Sequence, residues 1–241
     1  MPDKRKHRGQ HPQDSELFSE SQLPSLRNAV ADLSWLLSKS YNINSSLKLV
    51  GDRYQLNVRQ RMAVGRSSCS DSSLKYRKSC EVFMADNSET LLIDGYNLLI
   101  QVESAFSGSY IFKGRDGCLR DIAGIHGSYR RVEETFPAIE KIGEKISSLG
   151  YSKVKWFLDA PISNSGRLKT YLYETASHYG WDWQVLLVNN PDKDLLTEAG
   201  VVVSSDSMIL DKAMKWLNLG KKIWEGHVSE WNVIDLVENG G

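Results

Sequence analysis

The sequence predicts an α/β protein, a three-layer and mostly parallel sheet preceded by a small all-α segment, and three observations carry that expectation. Aliphatic runs at 91–93, 154–158 and 201–203 show almost no polar alternation, the pattern of central strands covered on both faces. Each run leads into an aspartate, Asp94, Asp159 or Asp206. Helical patterns separate the runs, giving the strand-helix-strand rhythm of a parallel sheet.

Composition bounds the rest. A chain of 241 residues with 41% hydrophobic content can bury one sizeable core and a smaller one. No apolar run approaches the roughly 20 residues that span a bilayer, and the first 14 residues, MPDKRKHRGQHPQD, lack the apolar core of a secretory signal. A cytoplasmic protein is the expectation. Cys69, Cys80 and Cys118 are odd in number and lack zinc-type spacing, so reduced thiols are expected. The formal net charge is zero, yet residues 1–88 carry +5 and residues 89–241 carry −5. A basic module beside an acidic one suits capture of a polyanion by one part and chemistry on it by the other; an ordinary solvated surface is the bland alternative.

From the N-terminus, the basic run from Lys4 to Arg8 reads as a mobile tail that could touch RNA or DNA. Leu26, Val30, Leu33, Leu36 and Leu37 recur at helical spacing after Pro24, a residue suited to a first helical turn. Further helices are expected at 45–54, with Leu47, Leu49 and Val50, and at 58–67, with Met62, Ala63 and Val64. The turn at 55–57 makes this pair similar to a helix-turn-helix, whose Arg53, Arg59, Arg61 and Arg66 could contact phosphates; a plain packed hairpin is the competing reading. A fourth helix is expected at 72–84. The polar stretch MADNSET then marks a domain boundary, leaving residues 1–88 helical and 89–241 α/β.

After Asp94 a helix is expected at 96–106, then a hairpin at 110–122 turning at Asp116 and Gly117. The following RDIAGIHGSYRR concentrates Arg120, Asp121, His126, Arg130 and Arg131 around Gly124 and Gly127. Glycines permit close backbone approach and arginine forks match phosphate oxygens, so Arg120, His126 and Arg130 are candidates for substrate contact. His126 could equally be a turn residue. A helix over 129–149, closed by Gly150, returns the chain to the second strand. The turn APISNSG offers Ser163, Asn164 or Ser165 as caps for a helix at 167–179; Ser163 and Ser165 could instead receive a phosphate. A strand at 181–188 and a final helix after Asp206, carrying Met208, Ile209, Met214, Trp216 and Leu217, complete the pattern.

Parallel strands would bring Asp94, Asp159 and Asp206 to one sheet edge, where like charges are costly unless protons or a cation intervene. Carboxylate oxygens without a His or Cys cluster favour Mg²⁺ or Mn²⁺, and Asp211 is a second-tier ligand because it faces partly away. A single such aspartate is more commonly a helix N-cap.

These residues, IDGYN with LDA and SSDS, resemble the PIN-like nuclease superfamily, nearest its NYN branch, which includes YacP-type proteins. The resemblance covers about residue 89 onward. The whole chain is also similar to a largely archaeal family joining a helical N-terminal domain to such a nuclease-like domain. The superfamily resemblance implies that Asp94 and Asp206 hold metal for phosphodiester cleavage, that Asp159 matches the acid after the second strand, and that Asn97 matches the signature asparagine, orienting a ligand or water. Relatives carry a further acid before the fourth strand; Asp192, Asp194 and Glu198 are the options here. The implied function is a Mg²⁺- or Mn²⁺-dependent nuclease, with RNA favoured over DNA. The alternatives are an inactive nucleic-acid-binding or scaffold protein and a hydrolase of small phosphate esters.

Overall fold

The computed structural model describes residues 7–83, 88–124, 127–227 and 229–237. Its first elements are helices α1 (Asp14–Leu17), α2 (Leu23–Ser38), α3 (Ile43–Arg53), α4 (Val58–Ser67) and α5 (Asp71–Cys80). Local chemistry starts most of them. Pro24 opens α2, the Asn42 side chain accepts from the Asn44 and Ser45 amides to cap α3, and Asn57 with Gln60 closes a reciprocal capping box on α4. Strand β1 (Leu91–Asp94) then runs without a linker into α6 (Gly95–Phe106). The remainder is β2 (Ile111–Lys113), β3 (Leu119–Arg120), α7 (Thr135–Ser148), β4 (Lys153–Asp159), α8 (Ser165–Tyr179), β5 (Asp182–Val188), α9 (Pro191–Thr197), β6 (Val201–Val203), α10 (Ser207–Leu210), α11 (Leu219–Trp224) and β7 (Val233–Asp235).

The main sheet has the order β5-β4-β1-β6, and every pairing in it is parallel. Alternate residues of β1, β4 and β6 serve two cores, which explains their unbroken apolar runs. Leu91, Ile93, Trp156, Leu158, Val201 and Val203 pack with Val102 of α6, Ile139 and Ile142 of α7 and Leu168 and Leu172 of α8. Leu92, Phe157 and Val202 face the other way, onto Leu195 of α9 and Ile209 and Leu210 of α10. This is a mixed α/β architecture with helices on both sheet faces.

A second sheet has the order β3-β2-β7. Its β2–β3 hairpin lies within the predicted stretch and turns through Gly117, whose φ of +80° suits a residue without a Cβ. Strand β7, which no periodicity announces, pairs parallel with β2. The N-terminal helices rest on this sheet: Leu26, Ala29, Val30, Leu33, Val50, Ala63 and Val64 share a buried cluster with Phe112, Ile122 and Leu236. The expected boundary near residue 88 therefore separates two stretches of sequence that close a core in common.

Several expected elements change at their ends for identifiable reasons. The helix expected over 129–149 begins only at Thr135, because 127–129 runs extended against the turn after β4, with Tyr129 N–H donating to the Ser163 carbonyl at 3.1 Å. The single helix expected after Asp206 is broken. Met208 and Met214 are 66% and 85% exposed, whereas Trp216 is fully buried in an extended stretch that bridges Val202 and Glu81. The same bridge ends α5 at Cys80, short of the expected residue 84, which lies outside the described residues. Arg8 is no tail residue: its guanidinium pairs with the buried Glu103 at 2.7 Å, while Lys4 and its neighbours to residue 6 lie outside the described residues. Among the described residues no helix is long and apolar enough to cross a membrane, and all three cysteines are free thiols.

Candidate active site at the carboxyl edge of the parallel sheet

From β1 the chain builds outward to β4 and β5 on one side and returns to β6 on the other. The seam between β1 and β6 is thus the point where strand order reverses, and the crevice beyond the strand ends there is where open α/β sheets bind ligands. Asp94 ends β1 on this seam. Gly95 is required next to it, since a Cβ at that position would stand 2.9 Å from the Phe157 carbonyl oxygen. Without that clearance α6 could not start directly at the strand end.

Ser204 stitches the seam. Its hydroxyl donates to Asp94 Oδ2 at 2.7 Å and accepts from the Asp206 amide at 3.0 Å. Asn97 Oδ1 accepts from both the amide and the hydroxyl of Ser205, at 2.8 and 2.9 Å. The 204–206 loop is therefore held from β1 and α6 together, and Asn97 spends its oxygen on that loop. Asp206 caps α10, Oδ1 accepting from the Met208 and Ile209 amides at 2.7 and 3.4 Å.

The carboxylates at this edge influence one another. Burial pushes Asp94 up to about 7, with Asp206 and Asp192 adding to the rise and the Ser204 hydrogen bond opposing it. Burial and Asp192 raise Asp159, and burial and Asp206 raise Asp192. Of the three acids open for the fourth place, Asp192 is the one in electrostatic reach of the others; Glu198 is engaged with Lys155. Among the described residues no three His, Cys, Asp or Glu side chains stand close enough to share an ion. The fit to a hard divalent cation therefore rests on oxygen-only donors and on the raised pKa values of Asp94, Asp159 and Asp192, with no assembled shell.

One feature of the edge is not legible in the motif. The Tyr96 hydroxyl is buried without a hydrogen-bond partner, its ring 5.4 Å from that of Tyr129, and burial with the nearby Asp159 pushes its pKa up. An orphaned buried donor of this kind costs stability.

Most arginines expected to meet substrate are used inside the protein. Arg120 is buried, its guanidinium bidentate on Asp116 at 2.9 and 2.7 Å, and its Nε donates to the Ser205 carbonyl at 2.7 Å. It props the Asp206 loop and offers nothing to solvent. Arg59 is bidentate on Asp14 at 2.6 and 2.7 Å. Arg61 donates to Asp52 at 2.8 Å and to the Leu56 carbonyl at 2.9 Å. Arg66 bonds the Asp121 carbonyl, and Arg53 lies 3.6 Å from Asp32. The helical pair is a packed hairpin whose cations are neutralised locally. Asp211 is likewise diverted, accepting from Arg77 Nε at 2.8 Å. Ser165 is buried, its hydroxyl turned to the Ala160 carbonyl, and the N-cap of α8 is Asn164, whose amide donates to the Tyr129 carbonyl at 2.9 Å. Ser163 is exposed and tied through its backbone to Gly127 and Tyr129. Arg130 is exposed in the same segment, and His126 lies outside the described residues.

Fold and site together define an α/β protein with an acidic, partly buried carboxyl edge at the reversal point of a parallel sheet. Residues 84–222 match the family described as a domain of unknown function, DUF5616, and the chain belongs to that family. Residues 25–79 match a second description, protein of unknown function DUF434. An uncharacterized protein of Methanocaldococcus jannaschii is 29% identical over 187 residues, which cover 77% of this chain and 89% of that protein. No solved structure matches the chain significantly.

Proposed function

We propose that this protein is a PIN-like, metal-dependent phosphodiesterase, a cytoplasmic ribonuclease cutting RNA at the β1–β6 seam. The observation that carries the reading is the Ser204 hydroxyl holding Asp94 across that seam while Asp206 and Asp192 help to raise its pKa. Such grouped acids await a cation or protons. The strand order and the strand-end aspartates are in keeping with the PIN-like resemblance.

Asp94, Asp206, Asp159 and Asp192 are the residues that would have to draw together to hold Mg²⁺ or Mn²⁺, whose chemistry when bound is to activate water and offset charge on the scissile phosphate. Asn97 and Arg120 keep the Asp206 loop in register with Asp94. Ser204 favours the ionised form of Asp94, the form that can serve as a ligand.

A second reading, an inactive nucleic-acid-binding or scaffold protein, draws on the lack of three assembled ligand groups among the described residues and on the capping role of Asp206. The deciding experiment is cleavage of labelled RNA with Mn²⁺ by the full chain and by Asp94→Asn, with circular dichroism as the control for folding. The nuclease reading expects cleavage by the parent alone. Absence of cleavage by the parent, or equal cleavage by both, rejects it.

A further inference from the structure

We propose that Arg130, Arg131 and Arg167 form a docking surface for a single nucleic-acid strand, leading to the carboxylate edge from the α8 side. The proposal rests on the phosphodiesterase reading for its substrate and adds where that substrate lies.

The geometry starts from the segment after Gly127. Ser163 N–H donates to the Gly127 carbonyl, Tyr129 N–H to the Ser163 carbonyl, and the Asn164 amide to the Tyr129 carbonyl, at 3.2, 3.1 and 2.9 Å. These bonds fix residues 127–129 against the turn that follows Asp159, and Arg130 and Arg131 emerge from it exposed. The Arg131 guanidinium stands 5.5 Å from the ring centroids of both Phe136 and Tyr171, which themselves meet edge-on at 5.2 Å. Tyr171 lies one turn below the exposed Arg167 on α8, so Arg131 and Arg167 share a face.

Unlike the arginines of the helical hairpin, none of these three has an ion-pair partner among the described residues. Glu133 and Glu174 flank the patch, both exposed, and leave the cations in excess. Ring contacts hold the Arg131 side chain in place, which reduces the entropy it loses on meeting a phosphate. The half-buried rings of Phe136 and Tyr171 add a base-sized apolar face. A duplex keeps its bases stacked inside and cannot use that face, whereas a single strand can.

The test measures binding without divalent ions in the full chain carrying Asp94→Asn, so that cleavage plays no part. The probe is a fluorescent single-stranded RNA of about 20 nucleotides, with a hairpin of equal length beside it. Arg131→Glu with Arg167→Glu is expected to weaken single-strand binding at least about tenfold and to lower the salt slope by about 1.4, two phosphate contacts' worth. Lys48→Glu with Lys75→Glu makes the same change of net charge on exposed positions of the N-terminal helices and is expected to leave affinity nearly unchanged. Melting temperatures verify that each variant folds. Equal losses from both pairs, or no loss from the first, overturn the surface, and tighter binding of the hairpin overturns the single strand. Failure of RNA cleavage by the parent would count against the phosphodiesterase reading and leave this binding result standing.

Discussion

Ser204 and Asp94 lie on neighbouring parallel strand ends and are joined by a hydrogen bond of 2.7 Å, so the hydroxyl of one side of the seam sets the acidity of the carboxyl on the other. The bond favours the ionised form and opposes the rise caused by burial. Ser204→Ala removes the donor and is expected to move the acid limb of the pH–rate profile for RNA cleavage upward by about 1 unit. Ser204→Thr keeps the hydroxyl and should restore the parent profile. An unmoved profile in the alanine variant would remove Asp94 ionisation from the rate.

The raised Asp94 also links stability to pH. The ordinary carboxyl value is 3.8 and the folded value about 7, so between those limits the unfolded chain has released the proton and the folded chain retains it. Stability then falls as pH rises from about 4 to about 7. Asp94→Asn cannot ionise. In urea titrations without divalent ions it should nearly match the parent near pH 4 and exceed it by on the order of 4 kcal/mol at pH 8. A constant difference across that range would place the Asp94 carboxyl in a more solvated setting than the one described.

Asp116 serves two buried guanidiniums, accepting from Arg77 at 2.6 Å and from Arg120 at 2.7 Å. Asp116→Ala would leave both cations enclosed without a counter-charge and is expected to cost about 3–5 kcal/mol, measured by urea unfolding. Arg61→Ala breaks a pair whose Asp52 partner is largely exposed and should cost at most about 1 kcal/mol through that pair. Similar losses in both variants would contradict the difference in burial.

Removing residues 1–88 would uncover Phe112, Ile122 and Leu236, which the N-terminal helices bury, and would strip Arg77 from Asp116 and Asp211. The 89–241 fragment is therefore expected to be insoluble or aggregated on size-exclusion chromatography. A monodisperse, cooperatively melting fragment would show that the second sheet closes without those helices.

The strand-end aspartates were legible because a buried parallel strand leaves a continuous apolar run, and the residue that stops the run marks the sheet edge. The start of α2 was legible for a related reason: Pro24 acts on the backbone of the first helical turn it sits in. Such signals are local. The fate of the arginines was not legible. Arg59 meets Asp14 from 45 residues away and Arg77 meets Asp116 from 39, distances in sequence at which no periodicity operates. Strand β7 and the extended stretch around Trp216 are likewise too short to carry a pattern, and exist because neighbouring edges supply their hydrogen bonds.

By itself, then, the sequence determined the layers, the parallel sheet and the aspartates at its carboxyl edge, through periodicities set by backbone geometry. Only the tertiary structure decided which charges are spent and which remain free. It paired the arginines of the helical segment, turned Asp211 to Arg77, selected Asp192 as the acid coupled to the seam, and left Arg130, Arg131 and Arg167 in solvent. The physical reason is that a charge's availability depends on desolvation and on partners brought close by packing, and neither is written in the spacing of residues along the chain.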